Sequence, residues 1–202
     1  MNRFDLAASS WDSNSKRVQI AQSAVENIIK HIPLKGDFDI LDYGCGTGLL
    51  GFGLSEFAKS VTGMDSSKAM IDEFNKKANE LGFKNANAIY HDIHDNHLPQ
   101  NQFDMIASSM TLHHINDTND FLEKCALSLK ENGYLCINDL VKEDGTFHEA
   151  GNDGVYHFGF DLEILRDLFL KNGFEVLFLD TVYVVKKSKD FPIFQAICKK
   201  MA

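Results

Sequence analysis

The sequence predicts one doubly wound α/β domain, with a mainly parallel seven-stranded sheet, helices on both faces and an antiparallel last strand. Three observations carry this. Strand-like and helix-like periods alternate along the chain. The first strand runs straight into a cluster of glycines, as strands do when they turn into a helix. The last two strand-like runs are joined by the short link 186–190, which cannot hold a crossover helix, so they must pair antiparallel.

The elements follow in order. Residues 15–31 place Val18, Ile20, Ala21, Ala24, Val25, Ile28 and Ile29 at helical spacing, and Pro33 stops the helix. Residues 38–43 form the first strand, 49–58 a helix and 61–64 the second strand. A helix over 67–81 starts at an N-cap, Ser66 or Ser67, and ends at Gly82. Residues 87–90 and 103–108 are the third and fourth strands. A helix over 117–130 leaves through Asn132-Gly133 into the fifth strand, 134–138. Residues 141–159 have no period and make a long connection, which often marks a functional loop. A helix over 161–170 ends at Asn172-Gly173, and 174–185 and 193–198 are the closing strands.

A chain of 202 residues can bury a core without disulfides or metals. Its 44% hydrophobic and 24% charged residues are those of a globular domain. No repeat, low-complexity tract or linker divides it, so residues 1–202 are read as a single domain. No apolar run is long enough to cross a bilayer, and the N-terminus lacks a basic segment followed by an apolar one. A cytoplasmic location is the expectation. Cys45, Cys125, Cys136 and Cys198 have neither zinc nor redox spacing and are expected to be buried thiols. The net charge of −9, with only Lys186-Lys187 and Lys199-Lys200 as basic pairs, disfavours a nucleic acid partner. A small-molecule partner is favoured, and no pattern specifies an oligomer.

The strongest local signal is Asp42-Tyr43-Gly44-Cys45-Gly46-Thr47-Gly48 after the first strand. Glycines there permit positive φ and keep Cβ atoms out of a ligand's way. The crevice beyond the strand ends is where open α/β sheets bind ligands. A dinucleotide fingerprint needs G-x-G-x-x-G, whose last glycine would fall at Leu49. A P-loop is excluded, because no Gly-Lys-Ser/Thr follows. Asp65 ends the second strand about 20 residues on, where a carboxylate can accept hydrogen bonds from two ribose hydroxyls.

The run ILDYGCGTG resembles the first motif of class I S-adenosylmethionine-dependent methyltransferases, in their small, single-domain form. The resemblance extends over 40–142 and again over the hairpin after Gly173. It implies a Rossmann-like fold, S-adenosylmethionine as cofactor and methyl transfer as activity. It implies that Asp42, Gly44, Cys45, Gly46 and Gly48 pass the methionine part of the cofactor. It gives Asp65, with Ser66 beside it, the ribose, and Asp92 the adenine amino group. The backbone of Ile93 would meet a ring nitrogen. Backbone at Ser108 would face the cofactor, with Ser109 and Met110 following toward the acceptor.

Similar enzymes fold an N-terminal segment over the cofactor, and residues 1–33 are expected to do so here. Trp11, the single tryptophan, could exclude water and attract the sulfonium; a plain hydrophobic anchor accounts for it equally. Arg17 could pair with the cofactor carboxylate or lie on a solvated helix face. His113 follows the fourth strand and His148 sits in the irregular stretch; both are candidate catalytic bases, with Asp139 a third. His91, His94 and His97 recur every three residues, but no cysteine completes a set, so no metal is expected. The expected reaction is methyl transfer to an unidentified small acceptor. The alternatives are a cofactor-binding protein of the same fold with different or no transfer activity, and a nicotinamide oxidoreductase. An aminopropyl transferase would carry acidic residues where Ser108-Ser109-Met110 stand. No Asn/Asp-Pro-Pro-Tyr/Phe follows the fourth strand, which also speaks against bases as acceptors.

Overall fold

The computed structural model describes residues 3–92, 98–149 and 151–201. Seven strands among them form one sheet: β1 (Phe38–Tyr43), β2 (Ala58–Asp65), β3 (Ala86–Tyr90), β4 (Phe103–Ser109), β5 (Leu129–Leu140), β6 (Phe174–Lys186) and β7 (Asp190–Lys200). Their order is β3-β2-β1-β4-β5-β7-β6. β1 pairs parallel with β2 and with β4, and only β7 runs against its neighbours. The predicted class is the observed one.

Successive side chains of a strand point to opposite faces, and each face is covered by helices. Ile40 and Met105 point to one side. There they meet Ile28, Leu54 and Phe74 from α2 (Ser15–His31), α3 (Leu49–Ser55) and α4 (Lys68–Leu81). Leu41 and Ile106 point to the other. They meet Phe121, Leu122, Leu165 and Phe169 from α5 (Thr118–Ser128) and α6 (Leu162–Lys171). The middle strands therefore carry consecutive apolar residues, Ile40-Leu41 in β1 and Met105-Ile106-Ala107 in β4.

β7 comes last in the chain but lies inside the sheet. Its residues 193–198 are buried on both faces, whereas β6 is largely exposed or half-buried and takes the edge. The helix predicted to Lys130 stops at Ser128. Leu129 is already extended and pairs with Phe103, so β5 begins well before the predicted strand. Asn132, at φ 61°, absorbs the irregularity, as asparagine does more readily than most residues.

Before α2 the sequence has no helical period, yet α1 (Arg3–Ala7) and a 3-10 turn (Ala8–Ser13) form there. Asn14 then starts α2 by accepting a hydrogen bond from the Lys16 N–H. The described residues of the segment 141–159 form no regular helix or strand, as predicted. The segment folds back on itself through the hydrogen bonds Lys142 N to Phe160 O and Glu143 N to Phe158 O, and Phe160 N reaches the end of β5 at Leu140 O.

Phe121 is fully buried and its ring lies 5.1 Å from that of Tyr43, at the end of β1. Truncating it opens a cavity under the glycine loop. We expect Phe121→Ala to lower the unfolding free energy by about 3–5 kcal/mol. Urea denaturation checks this, and a loss below about 1 kcal/mol would show that the core closes over the gap.

Candidate active site

The ends of β1, β2, β3 and β4 meet one cavity of about 640 Å³. This volume suits one cofactor-sized ligand with a small partner. The strand order reverses at β1, where adjacent loops part and leave a crevice.

The floor is the loop after β1. At Gly44, φ is 68° and any Cβ would collide with the Thr111 side chain from the β4 loop. Only glycine lets the two loops approach so closely. At Gly46 the situation is opposite. A Cβ would meet nothing nearer than Trp11 Nε1 at 3.8 Å and Met70 Sδ at 3.9 Å, so this backbone faces open space. Asp65 links the floor to the end of β2: its carboxylate accepts from Gly46 N at 2.9 Å and from Ser67 N at 2.8 Å. Burial raises its pKa against these donors.

Asp42 is buried, and its carboxylate accepts from Gly51 N in α3 at 2.9 Å. Burial raises its pKa to about 7; the Gly51 N–H opposes this and nearby Asp65 adds to it. The N-terminal segment closes one side. Thr47 donates to Asp12 at 2.5 Å, Lys77 pairs with Asp12, and Ser67 donates to Asp5 at 2.6 Å. The Arg17 guanidinium lies 3.6 Å over the Trp11 ring and donates to the Trp11 carbonyl.

The opposite end is built by histidines. After β4, Met110 adopts φ 55°, unusual for a non-glycine, and a 3-10 turn Leu112–His114 follows. β4 and β5 pair in register, Ser109 beside Asn138, which brings Asp139 to this turn. Asp139 accepts from His113 Nδ1 at 2.6 Å, His113 N at 3.1 Å and Leu140 N at 2.7 Å. Burial alone would raise the Asp139 pKa, but His113 and these three donors hold it below the usual range. A carboxylate only accepts, so His113 Nδ1 carries a proton and donates it to Asp139. His113 Nε2 is buried without a hydrogen-bond partner among the described residues.

His114 Nδ1 donates to the Gly154 carbonyl at 2.6 Å, so its Nε2 carries a lone pair and accepts from Arg3 at 3.2 Å. Burial first, then His113, lowers the His114 pKa to about 3. The His148 ring stands 5.1 Å from that of His113, and burial followed by His113 lowers its pKa to about 4. Both are neutral at pH 7.

The residues singled out in the sequence are thus mostly gathered. Trp11, Arg17, Asp42, Gly44, Cys45, Gly46, Asp65, Ser66, Asp92, His113 and His148 all line the cavity. Gly48 and Ser108 do not. At Gly48 a Cβ would collide with Phe52, so this glycine serves the turn into α3. Ser108 is buried and donates to the Tyr43 carbonyl at 2.8 Å, holding β4 against β1. Ile93, His94 and His97 lie outside the described residues. Asp139 orients His113, a partnership visible only from the pairing of β4 with β5. Arg3 was not foreseen as a site residue, whereas His114, next to His113 after the fourth strand, joins it at the cavity.

This sheet order with a glycine-floored crevice at the strand ends defines the class I S-adenosylmethionine-dependent methyltransferase fold. Residues 34–191 match the family described as methyltransferase domain, and the chain belongs to that family. Its cofactor is S-adenosylmethionine. An uncharacterized methyltransferase of Schizosaccharomyces pombe is 33% identical over 149 residues, 67% of this chain and 52% of the relative. A ubiquinone biosynthesis O-methyltransferase of Pelagibacter ubique is 31% identical over 156 residues, 68% of this chain and 62% of the relative. The chain thus spans between half and two thirds of these two proteins. The crystal structure of an S-adenosylmethionine-dependent methyltransferase from Aquifex aeolicus superposes with a TM-score of 0.66 at 25% identity, over 87% of this chain and 88% of that one. No helix among the described residues is long and apolar enough to cross a membrane.

Asp42 yields a test. Its pKa is raised in the folded chain from 3.8 to about 7, so folding holds a proton that the unfolded chain releases. Stability from this group is therefore greatest below about pH 4 and declines up to about pH 7, by about 4 kcal/mol in all. Asp42→Asn keeps an oxygen for Gly51 and removes the charge. In cofactor-free protein it should be more stable than the parent at pH 8, with the difference vanishing near pH 4. Urea unfolding across that range measures it, and a difference independent of pH would count against the assignment.

Proposed function

We propose that this chain transfers the methyl group of S-adenosylmethionine in line to a small-molecule acceptor. One observation carries the reading. A single cavity holds Gly46 and Asp65 at one end and the unpartnered His113 Nε2 at the other. We take residues 1–202 as one domain, with 1–33 covering the cofactor.

The residues fit the cofactor. The open space over Gly46, beside the Trp11 indole, accommodates its methionine part along Gly44 and Cys45. Asp65 has lone pairs left for ribose hydroxyls after its backbone bonds, and Ser66 lies beside it. Asp92 lines the wall expected to take the adenine amino group, and Ile93, next in the sequence, lies outside the described residues. Arg17 pairs with the carboxylate, which requires it to reach past the Trp11 ring. Gly48 and Ser108 act by shaping the loops.

The bound cofactor supplies a sulfonium, which is already an activated leaving group. The chain's task is to hold the acceptor's nucleophile roughly 3–3.5 Å from the methyl carbon and to exclude water. The imidazole end manages the acceptor's proton. Asp139 fixes the His113 ring through Nδ1, and His148 stands beside it. The charge of −9 supports a small acceptor over a nucleic acid. The similarity to a ubiquinone biosynthesis O-methyltransferase supports a hydroxylated one. Four buried free thiols support action in the reducing cytoplasm.

Calorimetry with S-adenosylhomocysteine, read in parallel by Trp11 fluorescence, tests cofactor binding. Asp65→Ala should weaken it by at least tenfold, about 1.4 kcal/mol. Unchanged affinity would refute the ribose assignment. Transfer of labelled methyl groups to a panel of small phenols and alcohols tests the activity. Binding without transfer to any member would favour a cofactor-binding protein instead.

A further inference from the structure

We propose that His113, His114 and His148 form a binding site for one divalent first-row transition-metal ion at the acceptor end of the cavity. One ring nitrogen from each residue lies within 4.8 Å of the others. Three imidazoles with an open fourth position are the ligand set of a catalytic zinc-type site. The site itself stands on geometry; its part in methyl transfer rests on the reading above.

The hydrogen bonds around the rings favour a metal. A ligating histidine characteristically donates its other nitrogen to a carboxylate or a backbone carbonyl. His113 donates Nδ1–H to Asp139, and His114 donates Nδ1–H to the Gly154 carbonyl. Both rings are thereby fixed in direction, and an ion would take each Nε2 in its unprotonated form. His113 Nε2 is buried at 1% exposure and has no hydrogen-bond partner among the described residues, which is costly unless something occupies it. His148 adds a third neutral nitrogen from the irregular segment after β5.

Tetrahedral coordination needs the nitrogens about 3.3 Å apart, given metal–nitrogen distances of about 2.0–2.1 Å. The trio must close inward, and His148, half-buried on its loop, is the ring with room to turn. The surrounding charges oppose one another. Asp139 and Glu149 favour a cation; Arg3 and Lys187 disfavour it, although Lys187 is paired with Glu149 at 3.3 Å. Arg3 is the direct competitor, since it donates to the His114 Nε2 that the ion would take. Metal binding therefore displaces Arg3 and, with it, shifts α1.

The open position faces the cavity, where it would receive an acceptor oxygen and lower the pKa of its hydroxyl. The proton then leaves to solvent, the oxygen–methyl bond forms and the sulfur–methyl bond breaks. In the loaded protein the ion, not His113, would govern the acceptor's proton. This names the acceptor class as an alcohol or phenol.

The test uses the full chain, stripped with chelator and titrated with Co²⁺ by visible absorption and with Zn²⁺ by calorimetry. The parent should bind one ion per chain with the intense bands of a four- or five-coordinate cobalt. His114→Ala and His148→Ala should each weaken binding roughly tenfold or more. Arg3→Ala removes no ligand and should tighten binding severalfold. Absence of stoichiometric binding by the parent would overturn the site, as would histidine variants that bind like the parent. Equal or weaker binding by Arg3→Ala would also count against it. S-adenosylhomocysteine affinity, measured separately, distinguishes failure of this site from failure of the methyltransferase reading.

Discussion

The hydrogen bond from Gly46 N–H to the Asp65 carboxylate is the joint on which the cofactor end depends. It ties the loop after β1 to the end of β2. The same carboxylate accepts from Ser67 N–H, at the start of α4. Ser67 in turn donates to Asp5 and so anchors the N-terminal segment. One buried acid thus fixes the floor, one wall and part of the cover. The arrangement works because β1 and β2 are parallel neighbours and end together, Tyr43 beside Met64.

Buried carboxylates at the strand ends meet different fates. Asp42 has one backbone donor and a second acid nearby, and burial pushes its pKa to about 7. Asp139 is equally buried, but the adjacent His113 and three donors, the His113 imidazole among them, hold its pKa low. The difference follows from the neighbours rather than from depth: an acid stands near Asp42 and a histidine beside Asp139. Asp139 holds His113 in one orientation through its Nδ1 and backbone N–H. A few ångströms of backbone placement therefore set the chemistry of the acceptor end.

The two ends are enclosed by the least regular parts of the chain. The N-terminal helix and 3-10 turn cover the glycine loop, and the segment after β5 brings His148 toward His113. Backbone bonds from Tyr156 and His157 to the His113 carbonyl fasten that segment to the site. Rigid sheet ends position the residues proposed for the cofactor, while irregular segments supply the groups proposed to face the acceptor. Such a division lets one fold serve many acceptors.

Much of this was legible in the residues. Alternating periods, the glycines after β1 and the short final link fixed the sheet, its parallel sense and the reversed β7. The spacing from Gly44 to Asp65 and Asp92 located one end of the cavity, because strand length and parallel pairing bring those positions to the same edge. Other features needed the folded chain. Gly48 and Ser108 looked like ligand contacts but turned out to hold loops together, because sequence spacing does not say which side of a loop faces the cavity. Asp139 and His113 are far apart in sequence and meet only through the pairing of β4 with β5. The helix at Arg3–Ala7 has no periodic signature, since a single turn is too short to show one, yet it delivers Arg3 to His114. The sequence by itself determined the fold and the cofactor edge, through local periods and strand ends. The tertiary structure decided the histidine end, since contacts between distant segments set the orientation, charge and spacing of those rings.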